Sequence, residues 1–294
     1  MKAGIILALV VVCGVLVFSI CFASQMVRCK RFAVSVNPGA LGLDYENISF
    51  PSAVDGLTIK GWYLPSRGSN RCIIMAHGGE RHRADPTIGM LDIAGDLVKE
   101  SYNVLTFDFR AHGESEGELF TIGDFERRDL LGAVDYVKER GIPPAGIGVL
   151  GFSMGAATAL VTAAETEDIK AVVADSSYSN LRELIKLKAL EYTNVPGFLT
   201  PPAFLMAKVL YGFDVDRVTP EESVGEIAPR HIMFIYGEDD TVVMPENSRR
   251  LYAAADNPGN GLWLVPGTEH VRAYKTRPEE YVRKVVNFFE AELE

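Results

Sequence analysis

The sequence predicts an α/β fold, with a mostly parallel, doubly wound sheet, a small helical cap insertion and one N-terminal transmembrane helix. Three observations carry that expectation. Short, nearly continuous apolar runs alternate with segments of helical period, the pattern of strands buried on both faces. A glycine-flanked serine stands between one such run and a helix of small residues, and residues 4–23 hold no charge.

Taken in chain order, the first element is GIILALVVVCGVLVFSICFA at residues 4–23, with Ser19 its only strongly polar side chain. Twenty residues of helix reach about 30 Å, the thickness of a bilayer core. Its length favours a retained anchor; cleavage after Ala23 and a buried N-terminal helix are the alternatives. Arg28, Lys30 and Arg31 outnumber Lys2 and the α-amine. That margin of one charge favours a cytoplasmic body and leaves the side open. Residues 1–31 are read as the anchor with its basic flank, and 32–42 as a breaker-containing linker through Asn37-Pro38-Gly39.

The main domain is expected to span residues 43–294. Strands are expected near residues 45–50, 57–64, 72–76, 103–108, 147–151, 171–175, 232–236 and 262–265, the first two as an antiparallel pair. Residues 125–139 and the C-terminal segment with Tyr281, Val285, Phe288 and Phe289 carry helical apolar stripes. Thr276 is the expected N-cap of the last helix, with Pro278 near its first turn. Between the strands at 171–175 and 232–236, residues 178–229 form the cap insertion, with helices over 181–192 and 203–211. Most of its apolar residues are expected to pack onto the sheet, some to line a hydrophobic pocket.

Composition narrows the function classes. The 294 residues are 48% hydrophobic and carry a net charge of −10, which excludes a disordered or collagen-like chain. Residues 32–294 hold 25 basic and 39 acidic side chains, a balance that repels a phosphate backbone, so nucleic acid is not expected as a partner. Cys13, Cys21 and Cys29 lie in the first segment, and Cys72 in an apolar run reads as a core thiol. No CxxC pair and no GxGxxG after a strand occur, so structural zinc and a dehydrogenase are both disfavoured, and no cofactor is expected.

The chemistry concentrates at Gly151-Phe152-Ser153-Met154-Gly155. A strand that turns at once into a helix strains its middle residue, and glycines two places away on each side remove clashing side chains. Ser153 is therefore the candidate nucleophile, with the Met154 N–H facing a developing oxyanion. A serine needs a base and an orienting acid, in the order serine, acid, histidine for such an architecture. Of the histidines at 77, 82, 112, 231 and 270, only His270 follows a plausible acid loop. Gly237-Glu238-Asp239-Asp240 closes the strand at 232–236 and offers the acid: Asp240 first, Asp239 second, Glu238 facing solvent.

Together these residues resemble the α/β-hydrolase superfamily, among its serine hydrolases the bacterial membrane-anchored, prolyl-oligopeptidase-like and serine-aminopeptidase-like enzymes. The resemblance covers residues 43–294: Gly61-Trp62-Tyr63-Leu64-Pro65, Ala76-His77-Gly78-Gly79, Asp108-Phe109-Arg110-Ala111-His112-Gly113-Glu114-Ser115, the serine turn, and the Asp240 and His270 loops. It implies an oxyanion hole from the Gly79 and Met154 N–H groups, a bracing role for His77, and a rim turn at Asp108 that does no chemistry. Counting from Gly237 selects Asp240, while Met244 lies as an extra residue before Pro245.

The expected activity is cleavage of a carboxylic ester or thioester through a Ser153-His270-Asp240 triad. A peptidase or amidase acting on small peptides, and a non-catalytic binding protein on the same fold, are the alternatives. Convergence of the three side chains discriminates the last. Oligomeric state is not legible in the residues.

Overall fold

Strands β3 (Cys72–Ala76), β4 (Asn103–Phe107), β5 (Ile147–Phe152), β6 (Ala171–Asp175) and β7 (Ile232–Gly237) are buried at every position, as their unbroken apolar runs require. The computed structural model describes residues 2–193 and 195–294. With β1 (Glu46–Pro51), β2 (Thr58–Leu64) and β8 (Gly261–Val265), these strands form one sheet in the order β1-β2-β4-β3-β5-β6-β7-β8. The β1–β2 and β2–β4 pairs are antiparallel and every other pair is parallel.

Helices α1 (Lys2–Met26), α2 (Met90–Lys99), α3 (Glu126–Glu139), α4 (Met154–Glu165), α5 (Leu181–Thr193), α6 (Thr200–Tyr211), α7 (Pro220–Ser223), α8 (Glu246–Ala255), α9 (Ala273–Thr276) and α10 (Pro278–Glu292) connect or flank the strands. Along β3 the side chains divide by alternation. Cys72, Ile74 and Ala76 join a core with Leu130 of α3, Leu160 of α4 and Leu251 of α8, while Ile73 and Met75 join one with Ile93 of α2 and Phe289 of α10. Two apolar layers on one sheet make the fold doubly wound. Burying one such Leu or Phe contributes roughly 2–3 kcal/mol. Cys72 is a fully buried free thiol, and burial pushes its pKa upwards.

Parallel register sets the functional edge. Phe152 lies opposite Asp175, Asp175 opposite Ile235, and Gly237 opposite Val265. The chain therefore leaves β5, β6, β7 and β8 at one edge, where an open α/β sheet gathers its ligand-binding loops.

Two local expectations change. Thr276 is not the cap of the last helix: its N–H donates to Arg272 O and the Arg277 N–H to Ala273 O, which keeps Thr276 in the short α9. Arg277 takes the N-cap position of α10 without a side-chain cap, and Pro278 opens the helix. In the cap, Phe204 and Phe213 are buried, but Leu187, Leu190, Phe198, Leu205 and Leu210 are exposed instead of packing on the sheet.

By length and composition α1 is able to cross a membrane. Its far end is docked on the body. Ser19 and Ala23 are buried where α1 packs on α6, whose own buried positions include Ala203 and Ala207. Small residues four apart on both helices permit close approach of the two backbones. Beyond the helix, the Phe120 N–H donates to Val27 O at 2.9 Å. Arg31 donates to the carbonyls of His112, Gly113, Ser115 and Gly117.

Candidate active site

Ser153 sits between β5 and α4 with φ at 52°, a left-handed conformation that costs a non-glycine residue about 1–3 kcal/mol. The surroundings hold it there: the Ser153 N–H donates to Asp175 O at 2.8 Å, and its carbonyl accepts from Ala156 and Ala157. A Cβ on Gly151 would meet the Gly155 carbonyl and the Ala156 backbone, and one on Gly155 would meet the Ala76 and His77 carbonyls. The flanking glycines are thus a steric requirement of the turn. The Ser153 hydroxyl does not cap α4. It is directed instead at His270, with Oγ 2.9 Å from Nε2.

His270 lies in the loop after β8, and its Nδ1 is 2.7 Å from Asp240 Oδ2. Asp240 Oδ1 accepts from the Val242 and Val243 N–H groups at 2.9 and 2.8 Å. These bonds orient the carboxylate, which is buried in the loop after β7. Nδ1–H donation to Asp240 leaves the Nε2 lone pair for the serine hydroxyl. Asp239 is exposed and lines the cleft, and Glu238 is exposed as well. The structure therefore brings Ser153, His270 and Asp240 into one hydrogen-bonded series and leaves Asp239 out of it.

Gly79 and Met154 both line the cleft beside Ser153. Among the described residues, neither backbone N–H donates to a protein acceptor. The Gly79 loop is held from below by two imidazoles. His77 Nδ1 contacts Gly78 O at 2.7 Å while its Nε2 accepts from the Phe109 N–H. His112 does the same one layer out, with Nδ1 on Arg110 O and Nε2 accepting from the Glu80 N–H. Burial lowers the pKa of both rings, well below the usual value for His77, so each stays neutral and keeps one donor and one acceptor. The rim turn carries its own ion pairs, Arg83 with Asp108 and Glu114, and Arg110 with Asp129 and Asp55.

One contributor, Asp175, has no local motif in the sequence that marks it. Asp175 is buried at the end of β6, accepts from Ser176 Oγ at 2.9 Å and from Tyr281 Oη at 3.1 Å. Ser176 Oγ in turn accepts from the Val271 N–H, next to His270. Burial raises the Asp175 pKa to about 7, against the two hydroxyl donors, which favour its charge. A raised acid pKa means stability that is complete below about 4 and lost as pH climbs through about 7. Asp175→Asn removes that titration. Its melting temperature should gain on wild type by a few degrees between pH 5 and 8, on the order of 2 kcal/mol. A constant difference across that range would show that Asp175 does not titrate there.

The cleft over Ser153 has a volume of about 1000 Å³. Ile88, Ile122, Leu184 and Val242 give it apolar walls, and Arg81, Lys188, Arg272 and Lys275 put positive charge around it. Among the described residues no cluster of three His, Cys, Asp or Glu side chains could hold a metal ion.

A nucleophile turn at the carboxyl edge of a parallel sheet, with histidine and acid on later loops, is the arrangement of an α/β hydrolase. The chain belongs to the α/β-hydrolase superfamily: residues 72–204 match the model of the alpha/beta hydrolase fold. An esterase of Pyrococcus furiosus, Pf2001, superposes with a TM-score of 0.75 at 29% identity, covering 91% of this chain and 98% of that one. The uncharacterized protein YqkD of Bacillus subtilis is 27% identical over 82% of this chain and 77% of its own length. The lysophosphatidylserine lipase ABHD12 of Danio rerio is 28% identical over 73% of this chain and 58% of its own. Fold and relatives together support a hydrolase of small molecules.

Proposed function

We propose that this protein is a membrane-anchored serine hydrolase that cleaves a carboxylic ester or thioester. The observation that carries the reading is the unbroken series Ser153 Oγ, His270 Nε2, His270 Nδ1, Asp240 Oδ2, with spacings of 2.9 and 2.7 Å. His270 takes the Ser153 proton as Oγ attacks the substrate carbonyl. The Gly79 and Met154 N–H groups donate to the oxyanion, and the protonated His270 then gives its proton to the leaving oxygen or sulfur. Water, deprotonated by His270, releases the acyl group and restores Ser153. Asp240 holds the ring and stabilises the imidazolium.

In this reading residues 1–31 anchor the chain through residues 4–23, 32–42 link, and 43–294 form the catalytic domain with the cap at 178–229. The esterase and lysophosphatidylserine lipase names of the relatives support an acyl ester substrate. A fluorophosphonate probe tests the nucleophile. Wild type should become labelled at Ser153 and Ser153→Ala should stay unlabelled; labelling of the variant would refute the assignment.

A further inference from the structure

The side chains of residues 2–14 of α1 are exposed, and the helix is buried only farther on, at Ser19 and Ala23, where it runs along α6. Those thirteen residues reach only about 20 Å, against a hydrocarbon core of about 30 Å. A membrane-spanning α1 must therefore carry part of the stretch beside α6 into lipid too. α6 is suited to follow it. Leu205, Val209 and Leu210 are 57%, 65% and 49% exposed, and Phe198 just before the helix is 76% exposed. Leu187 and Leu190 on α5 are exposed as well. Single exposed apolar residues are ordinary, but six on one insertion beside an apolar helix mark an interaction surface. Charge agrees with a lipid partner. Residues 181–213 hold four basic and two acidic side chains in an otherwise acidic body, and Arg28 and Lys30 flank α1, a balance that attracts anionic headgroups.

We propose that the cap lies in the near leaflet of the bilayer, with Phe198 and the outer face of α6 among the acyl chains, and that the cleft receives an acyl lipid from that leaflet. α5 separates the two compartments: Leu184 and Lys188 line the cleft, while Leu187 and Leu190 are exposed. The inference rests on α1 being a membrane anchor and Ser153 the nucleophile.

The test uses the full chain in phosphatidylcholine–phosphatidylglycerol vesicles that contain lipids brominated near the head of the acyl chain. Leu205→Trp, Leu9→Trp and Asn287→Trp are compared with the parent, whose Trp62 and Trp263 lie in the body. The added fluorescence at 205 should be quenched and that at 287, on the outer face of α10, should not. Lipids brominated deeper in the chain should quench position 9. Quenching at 9 without quenching at 205 overturns the cap placement and leaves the anchor standing; no quenching at 9 defeats the anchor and the proposal with it. The doubly substituted L205E/V209E chain should hydrolyse a soluble ester at the wild-type rate and lose about tenfold on an acyl lipid embedded in vesicles. Equal retention on both substrates overturns the lipid route, and the soluble-ester rate of the parent reports separately on the nucleophile.

Discussion

Ser153→Ala should lower kcat/KM for a short soluble acyl ester by about 10⁴-fold or more, with the melting temperature close to wild type. Among the described residues the partly exposed hydroxyl bonds only to His270 and caps no backbone donor, so its removal leaves none of their buried groups unpaired. Alanine at a φ of 52° pays the same backbone strain as serine, so stability should barely respond. The loss should appear in kcat, because the bond to the acyl carbon exists only after attack. A variant that keeps a tenth of the activity would mean that water or another side chain attacks, and that the series through His270 serves only to order two loops.

How far the residues themselves announce this site depends on distance along the chain. The sheet is legible because a strand buried on both faces must be apolar throughout, as at residues 72–76 and 147–152. The serine turn is legible because its constraint is local: Gly151 and Gly155 answer clashes with backbone within a few residues or on the adjacent strand. Asp240 follows from counting forward from Gly237, since the extra Met244 is absorbed in the exposed loop before α8. The bracing of Val271 by Ser176 spans 95 residues, and that of Asp175 by Tyr281 spans 106. Neither pairing has a local pattern. The docking of α1 is hidden for a different reason. Apolarity at residues 4–23 announces burial in something, and lipid and a cap helix demand the same residue types.

The histidines make the same point about chemistry. His77 and His112 sit within the motifs that carry the family resemblance, yet each is committed at both nitrogens to backbone partners and is kept neutral by burial. A ring so placed offers no free lone pair to a substrate. These bonds hold the Gly78–Glu80 backbone, and in the proposed mechanism, where the Gly79 N–H meets an oxyanion, such a role rewards rigidity over basicity. His270 is the opposite case: one nitrogen is oriented by Asp240, and the other faces a hydroxyl in the cleft.

Asp240→Asn should cost about 10⁴-fold in kcat, while Asp239→Asn should remain near wild type. The reason lies in the two backbone donors. Asp240 Oδ1 accepts from Val242 and Val243, so an asparagine here must keep its carbonyl oxygen toward them or bury two N–H groups against an N–H₂. With the oxygen so placed, its amide N–H points at His270 Nδ1. That nitrogen must then become the acceptor, which moves the ring proton to Nε2 and removes the lone pair that receives the Ser153 proton. The geometry survives and the base is lost. Raising the pH should not restore activity, because the neutral ring is held in the wrong tautomer. If Asp239→Asn instead produced the large loss, the exposed carboxylate would be the orienting group, and Asp240 would be a loop brace that happens to touch the ring.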